Sequence, residues 1–309
     1  MTFTALCVPA IESAKAGDSK YGVIRVKLSI GSRLTSYSFF LDGNYCIEGD
    51  DGVLLERQLY TIKKESGALS LYYGNGGKTR LYRASSIKFI RHLPTKESYN
   101  SFIWMKRIYG TDQRYCRYLG DMTFLLDSDG YIMAVNSVYM EDYLYGVVGY
   151  EMGNSESWPM EALKAQAVAA RSYAETSIKS SGSYDVADTA SYQVYYGFNP
   201  TQTRVIEAVD ATAKTAVTYN GSVIRTYFGS SNGGYTEIPQ HAWSVTARKP
   251  YEIIQRDEYD ALNPNSKSET LVFPKVWDAA NDISYIDDND SANNNSNGNG
   301  VESANAYKY

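Results

Sequence analysis

The chain has 309 residues, enough for one large core or two modest ones, and 43% of them are apolar, so most of the length should fold. The net charge is −5 with no basic cluster, which argues against nucleic acid as a partner, since phosphate binding needs a concentrated Lys/Arg face. Two distant histidines, His92 and His241, and three cysteines without metal-ligand spacing, Cys7, Cys46 and Cys116, indicate neither zinc chemistry nor a cofactor.

Residues Phe3 to Ile11 are mostly apolar, and Ser13-Ala14-Lys15-Ala16 ends in an Ala-x-Ala pattern before Gly17. Residues 1–20 therefore read as the back half of a secretory signal peptide, which implies an extracytoplasmic protein. If Cys7 leaves with that segment, Cys46 and Cys116 remain as a pair that an oxidising compartment would allow to bridge. No run approaches the length of a membrane span.

From Tyr21 to about Tyr115 the pattern is of short strands, such as Val23 to Leu28 and Ala68 to Tyr73, between Gly- and Asn-rich turns. Residues 21–115 thus read as a small β-rich accessory domain. The 29 tyrosines, against 9 Phe and 4 Trp, suit amphipathic strands and sugar-binding surfaces equally.

A second region opens near Arg117. A strand pair, Met122 to Leu126 and Tyr131 to Val135, flanks the turn Asp127 to Gly130. A short helix is predicted from Met140 to Val148, with Glu141 and Asp142 in its first turn, where the helix dipole favours anions, and Gly149 as its terminator. Glu151 follows in a loop. Pro159 then opens the clearest helix, with Leu163, Ala167, Ala170 and Ala174 on one small-residue face that lets another backbone approach. This is a buried central helix. Another helical stretch runs from Asn199-Pro200 to about Ala213, and Asn220-Gly221 signals a type I′ hairpin. Beyond Asp287 the chain is Asn, Ser, Asp and Gly, a disordered tail over 287–309. The reading is α+β: a mixed domain over 116–286 built on the Ala-rich helix, plus the N-terminal β-domain.

The stretch Tyr143 to Met152, followed by Trp158 to Tyr173, resembles the signature of the sporulation stage II protein D (SpoIID/LytB) family. The likeness continues through Tyr184-Asp185, Asp188-Thr189, Gln193 to Tyr195, Tyr227, Ser230-Ser231, Gly233 to Thr236, Trp243 and Pro250-Tyr251. The resemblance implies a peptidoglycan lytic transglycosylase, with Glu151 as catalytic acid and Lys164, Arg171, Gln193, Tyr195, Tyr227 and Ser230 as substrate-binding residues. It implies peptidoglycan glycan strands as partner, a peptidoglycan amidase and a membrane scaffold as further candidates, and a place outside the cytoplasm at the cell wall or forespore septum. The LytB branch suggests a rival role, a non-catalytic enhancer of an amidase.

Residue chemistry supports Glu151 on its own terms. A glycan-cleaving acid must stay protonated near neutral pH, and Val147, Val148, Tyr150 and Met152 surround Glu151 with apolar groups, whereas Glu156 lies among polar neighbours. Arg171, after three apolar residues, reads as paired and partly buried, and Gln166 as a buried hydrogen-bonding residue. Two departures from the family pattern stand out. Tyr192 occupies a position where some members carry a metal-binding cysteine, so no metal is expected. The loop Gly153 to Ser157 replaces a segment that commonly contains proline. Gly229 to Gly233 fits G-x-S-x-G, but only His241 follows, without an intervening Asp or a long helix, so a serine triad is rejected.

Overall fold

The computed structural model describes residues 22–257, apart from 51–53, 56, 75–76, 92–100, 233 and 244–246, together with two short strand pieces between 276 and 285. The predicted signal remnant and tail lie outside the described residues.

The strands run in the order β1 (Val23–Leu28), β2 (Ser36–Asp42), β3 (Tyr45–Ile47), β4 (Leu54–Leu55), β5 (Gln58–Glu65) and β6 (Ala68–Tyr73). Then come β7 (Arg80–Ala84), β8 (Ile87–Arg91), β9 (Phe102–Tyr109), β10 (Asp112–Tyr118), β11 (Asp121–Leu126) and β12 (Ile132–Tyr139). Helices α1 (Met140–Glu151) and α2 (Met160–Glu175) follow, then β13 (Val186–Ala187), α3 (Thr203–Ala211) and a hairpin, β14 (Thr218–Tyr219) with β15 (Ser222–Val223). The fold is α+β.

Most strands form two sheets, a seven-stranded one in the order β13-β1-β12-β11-β8-β3-β4 and a six-stranded one in the order β10-β9-β2-β5-β6-β7. Alternation fixes which faces meet: Ile24, Val26 and Leu28 of β1, and Tyr37, Phe39 and Leu41 of β2, point inward with exposed or half-buried residues between them. Phe39 of the smaller sheet packs on Phe89 and Phe124 of the larger, at 5.3 and 4.9 Å between ring centroids, so an aromatic core lies between the two.

The predicted boundary at residues 115 and 116 falls inside β10. The two regions are one body: β1 pairs antiparallel with β12 and parallel with β13, so the first strand has its neighbours in what the sequence suggested was a separate domain. Strand pairing over such separations leaves no local sequence signal, which is why the division misled. The chain instead divides after Thr226.

In α2, Leu163, Ala167, Ala170 and Ala174 are all fully buried, as the periodicity predicts. Helix α1 continues without a break from β12 and runs past Gly149 to Glu151, so Gly149 is no terminator. A Cβ on Gly149 would meet the Gln202 side chain at 2.2 Å, and Gln202 Nε2 donates to the Gly149 carbonyl. Gly146 has less yielding neighbours, because its Cβ would meet the Gly197 backbone carbonyl oxygen at 2.4 Å and the buried Tyr195 ring at 2.7 Å. Both glycines serve close approach. Gly146→Ala should therefore destabilise by about 1–3 kcal/mol despite the roughly 1 kcal/mol gained in helix propensity. Gly149→Ala should lose less, because Gln202 can swing aside; urea melts compare the two.

Beyond Thr226 the second unit holds the short helix α4 (Pro239–Trp243) and the strand pair β16 (Val276–Asp278) and β17 (Ile283–Tyr285). Within it, Thr236 N donates to the Gln255 carbonyl and Asn232 Nδ2 to Asp257.

Candidate functional site

Glu151 is the last residue of α1, not a loop residue, and is half-buried. Burial pushes its carboxyl up to about 6, while a hydrogen bond from the Val194 backbone pulls the other way. Its place at the negative end of the helix, with no basic residue in the last turn, acts in the same direction as burial. Beneath it Tyr143 is fully buried, and its hydroxyl donates to Gln193 Oε1 at 3.2 Å; Gln193 Nε2 in turn donates to the Ala170 carbonyl. That chain of bonds fixes the Gln193–Val194 backbone, and so the N–H that reaches Glu151.

The loop after Glu151 is pinned from α3. Asn154 Oδ1 accepts from the backbone N–H of Arg204 and Val205, capping α3 from fifty residues upstream, and Arg204 binds the carbonyls of Ser155 and Trp158. This replaces the rigidity a proline would give. Glu156 is exposed, as its polar neighbours suggest, and so is Glu161 in the first turn of α2.

The remaining predicted site residues separate. Gln193 and Tyr195 are buried in the core, not groove-lining: Tyr195 has no exposed surface and its hydroxyl donates to Asn136 Oδ1 at 3.0 Å. Motif likeness cannot tell which way a side chain points. Arg171 likewise has no exposed surface and faces no substrate. Its guanidinium grips Glu141, with Nη2 2.6 Å from Oε2, while Nη1 donates to the Thr215 carbonyl at 2.9 Å. The expectation of a paired, buried arginine holds; the substrate-binding role does not. Lys164 is part-exposed and pairs with Glu161 at 2.7 Å. Gln166 is half-buried, and its Nε2 is enclosed without a hydrogen-bond partner. Tyr227 and Ser230 are exposed residues of the second unit, where Tyr227 stacks on Trp243 at 4.6 Å. His241 pairs with Glu237 at 2.7 Å. Cys116 is a free, buried thiol, so it forms no bridge with Cys46.

Sequence reasoning missed Glu141, explained there by the helix dipole alone, and Asn136. Asn136 is fully buried and donates to the carbonyls of Leu119 and Asp121 while accepting from Tyr195. An Asn amid the apolar residues of β12 was the signal. Asp185 and Asp188 are buried anchors for β1. Burial opposes ionisation of Asp185, but Arg25 and the backbone N–H groups of Lys179 and Arg25 outweigh it and hold its carboxyl low. Burial pushes Asp188 up, although Ser29 and Arg107 bind it. Asp142, at the start of α1, is pushed up to about 6 by burial, with Arg91 opposing. Among the described residues no group of three or more His, Cys, Asp or Glu is placed to hold a metal ion, and no helix is long and apolar enough to cross a membrane.

Residues 128–219 match the family model for the stage II sporulation protein, SpoIID. An uncharacterised protein of Brachyspira hyodysenteriae is 42% identical over 137 residues, 43% of this chain and 36% of the relative. The amidase enhancer of Bacillus subtilis is 39% identical over 144 residues, 43% of this chain and 19% of its own length. The stage II sporulation protein D of the same organism is 30% identical over 152 residues, 44% of this chain and 43% of the relative. The chain thus spans less than half the length of each. The likeness centres on the segment that carries α1, α2 and α3, and over that segment the chain is similar to the SpoIID family.

Proposed function

We propose that this protein is a lytic transglycosylase acting outside the cytoplasm on the glycan strands of peptidoglycan. Glu151 protonates the oxygen leaving C1 of N-acetylmuramic acid at its bond to N-acetylglucosamine. The carboxylate so formed then takes the proton of that sugar's own C6 hydroxyl as the oxygen closes on C1, giving a 1,6-anhydro end. No water is consumed.

The observation that supports this reading is a half-buried carboxyl at a helix C-terminus, kept protonated up to about pH 6. Asp142, Asp185 and Asp188 do not supply the second acid that a paired-carboxylate mechanism needs. Paired-carboxylate glycosidases hold their groups about 5 Å apart for retention, or about 6.5–9.5 Å for inversion. Asp142, the other raised carboxyl on α1, stands nine residues from Glu151, roughly 13 Å along the helix. Asp185 and Asp188 are buried and bound, as described above.

Mass spectrometry of products from purified glycan stripped of stem peptides tests the reaction. Ends lighter by one water, without label from isotopically heavy water, are expected. Labelled reducing ends would mean hydrolysis and sink the single-acid mechanism.

A second reading draws on the likeness to the amidase enhancer: the same fold would bind glycan and stimulate a peptidoglycan amidase, with a membrane scaffold as a further partner. Wild-type protein that releases no sugar product, yet accelerates an amidase on intact walls, would favour it.

A further inference from the structure

The residue before Glu151 begins a path of rings and guanidinium groups that leads away from it. Tyr150 is 46% exposed and meets Tyr196 edge to face, with ring centroids 4.5 Å apart. The Tyr196 ring in turn carries two guanidinium groups, those of Arg107 at 4.6 Å and Arg114 at 4.3 Å. Both arginines come from the β9–β10 hairpin, which precedes the segment shared with the family.

The parts of this ledge are held firmly. Asp112 Oδ2 accepts from the Tyr196 hydroxyl at 2.8 Å and from Arg107 at 3.0 Å, and its Oδ1 accepts from Arg114 at 2.8 Å. Arg107 is buried and also bound to Asp188, so it can only support. The Arg114 side chain is half exposed. A guanidinium has five donors in a fixed plane, and stacking on Tyr196 fixes the direction of that plane. The ledge therefore offers the exposed Tyr150 ring to a sugar and, beyond it, an oriented cation for an anion.

We infer that Tyr150, Tyr196 and Arg114 form a glycan subsite adjoining Glu151, in which a sugar lies on the tyrosines and Arg114 binds a carboxylate that the sugar carries. The proposal rests on the glycan reading above and deepens it. A muramic acid residue bears a free lactyl carboxylate only when its stem peptide has been removed, since the peptide bond converts that group to an amide. The subsite thus selects stripped glycan by charge.

The test measures equilibrium binding by the full chain carrying Glu151→Gln, so that turnover does not interfere. The probes are stripped glycan, peptide-bearing glycan and a chitooligosaccharide, which has no carboxylate. Adding Arg114→Gln should weaken stripped glycan about tenfold, the loss of one charge-assisted hydrogen bond, and leave the chitooligosaccharide unchanged. Arg114→Lys should recover part of that loss, and melting temperature checks that each variant folds. Tyr150→Ala should weaken every glycan probe. Unchanged affinity of Arg114→Gln for stripped glycan, or equal losses for the chitooligosaccharide, would overturn the subsite alone. A parent that binds no glycan at all would overturn the glycan reading and the subsite with it.

Discussion

Glu151→Gln should slow release of anhydro-sugar ends by about a hundredfold to ten-thousandfold, the range that a positioned general acid contributes. The amide keeps the size of the side chain but has no proton to give at the leaving oxygen. Wild-type turnover should fall as pH rises through about 6, because the acid must be protonated when substrate binds. Stability carries an independent signature. The carboxyl binds its proton more tightly folded than unfolded, so its contribution is full below about 4.5 and is lost as pH rises through about 6. Glu151→Gln should therefore melt like wild type near the lower limit and above it at neutral pH. Normal cleavage by the variant would remove Glu151 from the mechanism; loss of cleavage with no gain in melting temperature at neutral pH would mean that burial does not hold the proton.

The largest expected loss of stability comes from Arg171→Ala, about 3–5 kcal/mol, the range found when one partner of a buried ion pair is removed. Glu141 would lose the guanidinium, keeping only the Lys214 backbone N–H, and the Thr215 carbonyl would lose its 2.9 Å partner. Those bonds join the start of α1, the end of α2 and the segment after α3, so three elements should loosen together. Arg171→Lys should recover little, since an ammonium cannot grip the carboxylate with two parallel bonds. Chemical denaturation measures both. A loss below about 1 kcal/mol with a sharp fall in glycan affinity would instead put Arg171 in the binding surface.

Local chemistry was legible in the sequence, and long-range packing was not. The Ala-rich face of α2, the Asp127 to Gly130 turn and the Asn220-Gly221 hairpin depend on neighbours within a few residues, and all stand as read. Asn220 and Gly221 both take positive φ, as a type I′ turn demands. Gly149 was misread because Gln202, which packs against it, lies far along the chain. The burial of Gln193 and Tyr195 is not legible in the resemblance, because a motif marks that residues matter, not which way they face. Glu151 stood out through family likeness, and its apolar neighbours gave the physical reason.

The position of β1 bears on how the protein comes into being. During synthesis Val23 to Leu28 emerge early, yet the strands that flank them, β12 and β13, emerge only after residues 139 and 187. Until then its edges are unpaired, a state prone to sticking to other chains, so folding of this region has to wait. The shared segment is also not self-sufficient. Cut free at residue 128, it would bare both edges of β12 and strip Asp185 and Asp188 of Arg25, Ser29 and Arg107, stranding two carboxylates that the intact chain keeps bound. Sequence that looks like an accessory preface is therefore a structural half of the domain it precedes.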